Sequence, residues 1–290
     1  MRHFDYLEPE TVEEASALLG EGGEKAALLA GGTDLLIKLQ EDQSPAEVLI
    51  SLAAIPGLKE ITLDRQGGLS LGAMATIAQT AKHPDIQKHF PLLADACLTV
   101  GSQQIRNMGT VGGNLCNASP AADLAPVLLV YGAQARTVGT GGPRLIPLDH
   151  FFLGPGKTAL KGGEILEKIL IPMAPPGGIY LKHTVRKAMD LPIVGIAVLL
   201  KMEDSLCREI RVALGAVAPT PLRAPSIESF LKGRRLNDES LNQAGRLALQ
   251  AVSPISDIRA SAEYRREMVE VLTRRAIRQA HEVHVPRRER

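Results

Sequence analysis

Aromatic residues are scarce in this sequence of 290 residues: phenylalanine, tyrosine and tryptophan together make up 3% of it, and tryptophan is absent. So few rings give no basis for a surface that stacks the bases of single-stranded nucleic acid. An excess of charge of one sign is lacking too, because 33 lysines and arginines nearly balance 32 aspartates and glutamates. No overall field therefore favours nucleic acid or an anionic membrane.

Cysteine is also rare. Cys97, Cys116 and Cys207 are far apart and no CxxC pair occurs, which indicates neither a disulfide framework nor a zinc or iron–sulfur site. No pair of histidines has metal-site spacing with a carboxylate nearby, and neither a GxSxG elbow nor a cysteine–histidine nucleophile pattern is present. We expect no metal ligands and no catalytic side chains in this chain.

Long apolar runs are missing as well. The longest, at residues 124–135 and 191–200, fall short of the roughly 20 residues that span a bilayer. The first residues lack the apolar core of a signal peptide. Hydrophobic residues make up 45% and charged residues 22%, which is ordinary for a globular chain. The sequence therefore predicts a globular protein of the cytoplasm.

What is present predicts an α+β protein in three parts. In the first, residues 1–56, Thr11 and Glu14 have the spacing of a capping box that opens a helix. An apolar run at residues 26–29 indicates a buried strand, and residues 34–40 show a helix-like pattern after a glycine turn.

The second part, residues 57–175, begins with a predicted β-hairpin at residues 61–71. It contains an apolar helix at residues 124–131, behind a glycine- and asparagine-rich turn at residues 109–117. Residues 173–178 include two prolines and two glycines, which cannot continue regular structure and so predict a linker.

The third part, residues 176–290, has three strand-like segments followed by three helical ones. The strand-like segments are residues 180–185, 194–202 and 210–217, and the helices are residues 226–232, 241–252 and 262–280.

Two glycine-rich stretches are the candidates for chemistry. The first glycine motif, AGGTD at residues 30–34, lies between a predicted strand and a predicted helix. Consecutive glycines let backbone N–H groups approach an anion without a Cβ in the way, and the helix adds a positive dipole end. Thr33 offers a hydroxyl group, and Asp34 is available to cap the helix or to contact a ribose or a flavin. A plain strand–turn–helix connection is the competing interpretation.

The second glycine motif, TVGGN at residues 110–114, lies in a stretch rich in glycine, asparagine and hydroxyl residues, at residues 107–123. Such polar density beside a core suits a backbone wrapped round a phosphate ester, with Asp123 as a ribose acceptor. Long loops inside compact domains are usually functional or disordered, but a loop without a ligand stays an alternative.

The stretch GPGKTA at residues 154–159 imitates two nucleotide motifs and satisfies neither. A P-loop requires a glycine five positions before Gly156, where Phe151 stands. The GxGxxA pattern requires a surrounding βαβ unit, which the neighbouring segments do not predict.

Together, the two glycine motifs and the sequence Ala-Ser-Pro at residues 118–120, followed by Asp123, resemble the paired FAD motifs of a known family. These are the medium subunits of molybdenum hydroxylases of the xanthine dehydrogenase and carbon monoxide dehydrogenase type. FDY at residues 4–6, GPGKT at residues 154–158 and GAVAPTP at residues 215–221 resemble further family segments in the same order. The resemblance covers essentially the whole chain.

The resemblance implies an α+β fold, with an FAD-binding fold of the PCMH/vanillyl-alcohol-oxidase-like type. An N-terminal α/β unit (1–56) and a mixed middle domain (57–175) would hold FAD extended between them. A C-terminal domain (176–290) would contain a three-stranded antiparallel sheet and helices. One branch of the family has an additional iron–sulfur cluster in a cysteine-rich insertion. This chain has no room for that insertion, so we expect no cluster in it.

The resemblance also assigns residues to FAD. Residues 29–36 and 110–114 would hold the diphosphate, Asp123 would bind a ribose hydroxyl, and Leu191 would lie close to the isoalloxazine ring. Leu166 and Lys182 match family positions near the flavin and adenine ends, and Val100 matches a position that is often aromatic. The residues expected to bind FAD are Leu29, Ala30, Gly31, Gly32, Thr33, Asp34, Leu35, Leu36, Val100, Thr110, Val111, Gly112, Gly113, Asn114, Asp123, Leu166, Lys182 and Leu191.

The implied function is electron transfer. FAD in this chain would take electrons from [2Fe–2S] clusters of a small partner subunit and pass them to NAD⁺, a quinone or another acceptor. A large partner subunit would hold the molybdenum cofactor and the substrate, in a dimer of heterotrimers. Two alternatives stay open: a stand-alone FAD-dependent reductase and a flavin-free assembly scaffold. Because the substrate would bind another chain, carbon monoxide, purines, N-heteroaromatic compounds, aldehydes and aryl-CoA thioesters all remain open.

Overall fold

Three β-sheets, each with helices packed against it, organise the chain in the computed structural model, which describes residues 3–64, 66–175 and 177–284. Helices and strands mix along the sequence, so the predicted α+β class is confirmed. Within these residues, none of the helices combines the length and the apolar character that crossing a bilayer requires.

The first sheet is parallel and has the strand order β1-β3-β2. Its strands are Asp5–Leu7 (β1), Ala26–Leu29 (β2) and Val48–Ser51 (β3), with helices Val12–Gly22 (α1) and Leu35–Gln40 (α2). Thr11 caps α1 as predicted, since its side chain accepts a hydrogen bond from the N–H of Glu14 at 3.1 Å. The Glu14 carboxylate accepts from the N–H of Glu10, one residue earlier than a capping box requires.

The second sheet is antiparallel and has the order β4-β5-β10-β6-β7. Its strands are Ile61–Asp64 (β4), Gly68–Gly72 (β5), Gln134–Gly139 (β6), Gly142–Pro147 (β7) and Ile165–Ile171 (β10). A separate two-stranded sheet is formed by Phe152–Gly154 (β8) and Lys157–Thr158 (β9). The predicted hairpin at residues 61–71 is confirmed as β4 and β5.

The described residues of this middle part include six helices. They are Ile77–Lys82 (α3), Pro84–His89 (α4), Pro91–Thr99 (α5), Gln103–Met108 (α6), Val111–Cys116 (α7) and Leu124–Tyr131 (α8). The predicted apolar helix is confirmed in α8, whose eight residues are all buried. The prediction of a turn at residues 109–117 was wrong, because α7 occupies most of that segment. Thr110 caps α7 by accepting from the N–H of Gly113 at 3.0 Å, and Val111 and Leu115 anchor it in the core.

The third sheet is antiparallel and runs β11-β12-β13-β14. Its strands are Gly178–His183 (β11), Val194–Glu203 (β12), Leu206–Gly215 (β13) and Leu222–Arg223 (β14), and the helices that follow are Pro225–Leu231 (α9), Asp238–Ala251 (α10) and Ala262–His284 (α11). The expected three-stranded sheet therefore has a fourth strand. The sequence did not predict this fourth strand, β14, because a strand of two residues is too short to show the alternation of apolar and polar residues that marks a strand.

The third sheet is buried on both faces, which explains the continuous apolar run in β12. Ile196 and Val198 pack with the core that includes α10 and α11, while Ala197 and Leu199 join the core of the middle part. The division of the chain at residues 56 and 175 stays a prediction, and Pro176 of the predicted linker lies outside the described residues.

Two arginines tie the third sheet to α8. Arg211 donates to the carbonyl oxygen of Val130 at 3.2 Å, and Arg223 donates to that of Leu129 at 3.3 Å. The last carbonyl groups of a helix have no partner within it, so these arginines satisfy the end of α8 from another sheet. They connect β13 and β14 to the C-terminal end of α8.

A buried carboxylate joins β6, β7 and β10. Glu164, 7% exposed, accepts hydrogen bonds from the hydroxyl of Thr137, from Arg144 Nε at 2.9 Å and Nη2 at 2.5 Å, and from the N–H of Lys161 at 2.9 Å. Burial alone raises the pKa of Glu164, but the bonds from Arg144, Thr137 and Lys161 outweigh it and lower the pKa from 4.5 to about 2.

The Glu164 cluster should make stability depend on pH. A folded pKa below the unfolded value means that the stabilisation is complete above pH 4.5 and is lost as the pH falls toward about 2. It should amount to about 3 kcal/mol. Urea unfolding of the wild type and of Glu164→Gln, from neutral pH into this window, should show a steeper loss in the wild type, because glutamine does not titrate. Parallel losses in the two proteins would contradict the assignment.

Candidate functional site

A cavity of about 270 Å³ lies between the two glycine motifs and is called the first cavity here. It opens beyond the carboxyl end of β2, where ligands commonly bind in α/β units. Ten of the residues expected to bind FAD line it: Ala30, Gly31, Gly32, Thr33, Asp34, Leu35, Val100, Thr110, Gly113 and Asn114. The structure therefore brings the two motifs together, although they are far apart in sequence.

Glycine has no side chain, and this explains how closely the backbone segments approach each other. A Cβ atom on Gly31 would lie 2.1 Å from the carbonyl oxygen of Met108, and one on Gly112 would lie 2.6 Å from both the Cβ and the carbonyl oxygen of Ala73. Gly32 has a φ of +70°, which favours glycine. Gly31 and Gly112 thus permit close contact between segments of this same chain. The sequence suggested a different role for them, the approach of the backbone to an anion.

Backbone donors for a ligand come from the first glycine motif. The first helical hydrogen bond of α2 is from the N–H of Leu36 to the carbonyl of Gly32, at 3.1 Å. The preceding N–H groups, at residues 33–35, lie outside the helical ladder. Asp34 occupies the N-cap position, but its side chain makes no capping bond.

The second glycine motif offers side chains instead of backbone donors. Its N–H groups at residues 111–114 all donate to protein acceptors, at 2.8–3.0 Å. The side chain of Asn114 lines the cavity, and its Oδ1 is buried without a hydrogen-bond partner among the described residues. A buried amide oxygen without a donor is uncommon, so this atom fits a ligand that carries a hydroxyl group.

An amide at the end of α7 bridges two charges of α2. Asn117 Nδ2 donates to Asp34 Oδ1 at 3.1 Å, and Lys38 Nζ donates to Asn117 Oδ1 at 2.7 Å. Sequence reasoning missed Lys38, although its spacing of four from Asp34 puts both on one helix face. Six other lining residues were not among those expected to bind FAD: Leu28, Ile77, Ile105, Gly109, Cys116 and Asn117. Burial raises the pKa of the Cys116 thiol to about 12, so this thiol is neutral.

A second cavity, of about 430 Å³, continues the first. The two share the lining residues Thr33, Asp34, Val100, Ile105, Asn114 and Asn117. The second cavity reaches Asp123 and Leu191, two of the expected site residues, and Arg186 and Arg259, which the sequence did not single out. The two cavities form one groove that runs from the first sheet toward the third.

Asp123 joins the middle part to the third sheet at this groove. It is 5% exposed, and its carboxylate accepts from the Tyr180 hydroxyl and from Lys182 Nζ, each at 2.8 Å. Lys182 also donates to the carbonyl of Thr99 at 2.9 Å. Burial raises the pKa of Asp123 above its ordinary value, although Lys182 and Tyr180 act in the other direction. The predicted residues Asp123 and Lys182 are thus direct partners, and Tyr180 is an additional one.

The segment before α11 fixes the far end of the groove. Asp257 accepts from Arg259 Nη2 at 2.6 Å and from Arg265 Nη2 at 2.8 Å. The guanidinium of Arg265, 2% exposed, also donates to the carbonyls of Ile193 and Ala216. It thereby holds the chain two residues beyond Leu191. No local sequence pattern predicts this network, because Ile193 and Ala216 are far in sequence from Asp257 and Arg265.

Some of the expected residues do not line the groove. Leu166 is buried in the core, Val111 and Gly112 are buried within α7, and Leu36 is exposed on α2. Leu29 packs in a small cluster around the first sheet. FAD binding stays a prediction for these residues, as it does for the expected residues that line the groove.

Comparison with known proteins identifies relatives of the whole chain. Residues 2–174 match the family described as the FAD binding domain in molybdopterin dehydrogenase, and residues 179–280 match the CO dehydrogenase flavoprotein C-terminal domain. The xanthine dehydrogenase FAD-binding subunit of Escherichia coli O157:H7 is 34% identical over 278 residues, which is 95% of each chain. The carbon monoxide dehydrogenase medium chain of Hydrogenophaga pseudoflava is 34% identical over 278 residues, or 96% of each.

Solved structures agree with these relatives. A chain of the Cu,Mo-CO dehydrogenase superposes with a TM-score of 0.93 at 33% identity, over 97% of this chain and 98% of that one. A chain of quinoline 2-oxidoreductase from Pseudomonas putida 86 superposes with a TM-score of 0.92 at 30% identity, over 97% and 99%.

The contact at Gly112 should limit which residues this position accepts. Gly112→Ala should lower the free energy of unfolding by about 1–3 kcal/mol, because the added methyl overlaps Ala73. Gly141→Ala is the matched control, since nothing lies within 4 Å of a Cβ there, and it should change stability by no more than about 0.5 kcal/mol. Urea unfolding of the ligand-free proteins measures both. Equal stability of the two variants would contradict the packing role.

Proposed function

The chain belongs to the family of FAD-binding subunits of molybdopterin dehydrogenases, and we propose that it is the electron-transfer subunit of such a complex. It would receive electrons from [2Fe–2S] clusters of a small partner subunit and deliver them to NAD⁺, a quinone or another acceptor. A large partner subunit would hold the molybdenum cofactor. As a member of this family, the chain is an oxidoreductase subunit with an FAD-binding domain.

The observation that carries the proposal is the pairing of the two glycine motifs across one groove. Unused N–H groups at residues 33–35 and the ammonium of Lys38 suit the anionic diphosphate of FAD. The unpartnered Oδ1 of Asn114 suits a sugar hydroxyl. The groove is continuous from the first cavity to the second, as an extended dinucleotide requires.

The chain's own residues would bind and orient the cofactor. Two titratable groups of the groove are engaged or neutral: Asp123 is bound by Lys182 and Tyr180, and the Cys116 thiol has a pKa of about 12. When bound, FAD supplies the exchange of electrons one or two at a time. The protein's contribution is the geometry and the charge around it.

Partner subunits are supported by the surface at the end of the groove. Met189 and Leu191, which line the second cavity, are exposed, and Leu98, which lines a neighbouring cavity together with Met189, is exposed as well. Exposed apolar groups in one region are typical of interaction surfaces. Relatives that are medium chains of carbon monoxide dehydrogenase support the same assignment. We propose a dimer of heterotrimers in the cytoplasm.

Purification of the native complex tests this function. The chain should copurify with two partner chains, show the absorption bands of oxidised flavin, and contain about one FAD per chain, as a single groove requires. Its flavin should be reduced by the substrate of the complex only when the partners are present. A chain without flavin would support the scaffold, and full turnover without partners would support a stand-alone reductase. Either result would contradict the proposal.

A further inference from the structure

The charges that line the first cavity are few. Of its lining residues, Asp34 and Lys38 are the charged ones, and both belong to the N-terminal part of the chain. A diphosphate diester has two negative charges, and backbone N–H groups supply only partial positive charge. Lys38 is therefore the formal cation available to balance a diphosphate in this cavity.

The geometry leaves the ammonium group of Lys38 with donors to spare. An ammonium has three N–H donors, and the structure records one hydrogen bond from it, to Asn117 Oδ1 at 2.7 Å. The remaining donors are available to oxygen atoms of a ligand in the cavity that Lys38 lines.

Asn117 separates two opposite charges that would otherwise neutralise each other. Asp34 and Lys38 are four residues apart, the spacing at which an acid and a base on a helix form a pair. Here the amide lies between them, with its Nδ2 toward Asp34 and its Oδ1 toward Lys38. The reverse orientation of the amide would point its carbonyl at a carboxylate and its NH₂ at an ammonium, so the chemistry fixes this one.

We propose that Lys38 binds the diphosphate of the cofactor and that Asn117 positions it by keeping it apart from Asp34. The inference rests on the proposed function, because it puts the diphosphate in the first cavity. It adds a cation that comes from α2 and a positioning amide that comes from the end of α7. Asn117 thus connects Lys38 of α2 and Asp34 of the first glycine motif to the end of α7.

Flavin titrations of the full-length chain, stripped of cofactor, test this. The probes are FAD and riboflavin, which lacks phosphate. Lys38→Met should weaken FAD binding about tenfold to hundredfold, the range for a hydrogen bond to a charged group, and should leave riboflavin affinity unchanged. Lys38→Arg should restore FAD affinity to within about threefold of wild type, because it keeps the charge. The matched control is Lys88→Met, which removes an exposed lysine outside the groove.

Asn117→Asp gives a second, independent readout. A carboxylate there would pair with Lys38 and cancel its charge, so FAD affinity should fall about tenfold while riboflavin affinity and the unfolding temperature stay near wild type. The dependence of FAD affinity on salt should weaken in Lys38→Met, since one charge contact is lost.

The outcomes separate the two levels of inference. If Lys38→Met and Asn117→Asp weaken FAD and riboflavin equally, or weaken neither, the role assigned to Lys38 is wrong while the FAD-binding function stands. If the wild type binds neither flavin, the proposed function fails and this inference fails with it.

Discussion

The site depends on one constraint: backbone segments that are distant in sequence must come into direct contact. The absence of a Cβ at Gly31 leaves room for the carbonyl of Met108, and its absence at Gly112 leaves room for Ala73. Because α7 rests directly on the chain next to β5, its N-terminal N–H groups are used by the protein. The free donors then remain on the first motif, and the side chains of Asn114 and Asn117 face it across the groove. Packing decides here which groups are left for a ligand.

The third sheet completes the groove through polar contacts that are buried. Arg211 and Arg223 donate hydrogen bonds to carbonyl groups at the end of α8. Near the start of α8, Asp123 accepts hydrogen bonds from Lys182 and Tyr180 of β11. Removing one partner from such a buried pair is costly, because the other charge is left without compensation. These contacts therefore define one relative position of the two parts. That position is also the one in which Leu191 and Arg259 reach the second cavity.

Local signals predicted the elements that depend on neighbouring residues. β2, the glycine turn and α2 follow from an apolar run, two glycines and a periodic pattern, and α8 follows from eight apolar residues. α7 was missed because its two adjacent glycines cost about 1 kcal/mol each in a helix, and its burial against Ala73 outweighs that cost. In the site, the motif residues were found from composition and resemblance. Lys38 could have been found from the sequence, because it lies four residues after Asp34 in a predicted helix. The network of Asp257 and Arg265 depends on contacts that no local pattern reveals.

The groove is lined by charged side chains that suit the binding of a cofactor. Its carboxylates are engaged: Asp34 accepts from Asn117, and Asp123 is held by a lysine and a tyrosine. The other ionisable residues that line the two cavities are Lys38, Arg186, Arg259, the neutral thiol of Cys116, and Asp190, whose carboxylate accepts from the N–H groups of Arg186 and Leu191. A general acid or base needs a pKa near the working pH and a free proton position. Both carboxylate oxygens of Asp123 already accept hydrogen bonds, and the pKa of the Cys116 thiol is raised to about 12. The groove therefore suits a cofactor whose reactivity is its own, held by a protein that supplies position, counter-charge and exclusion of water.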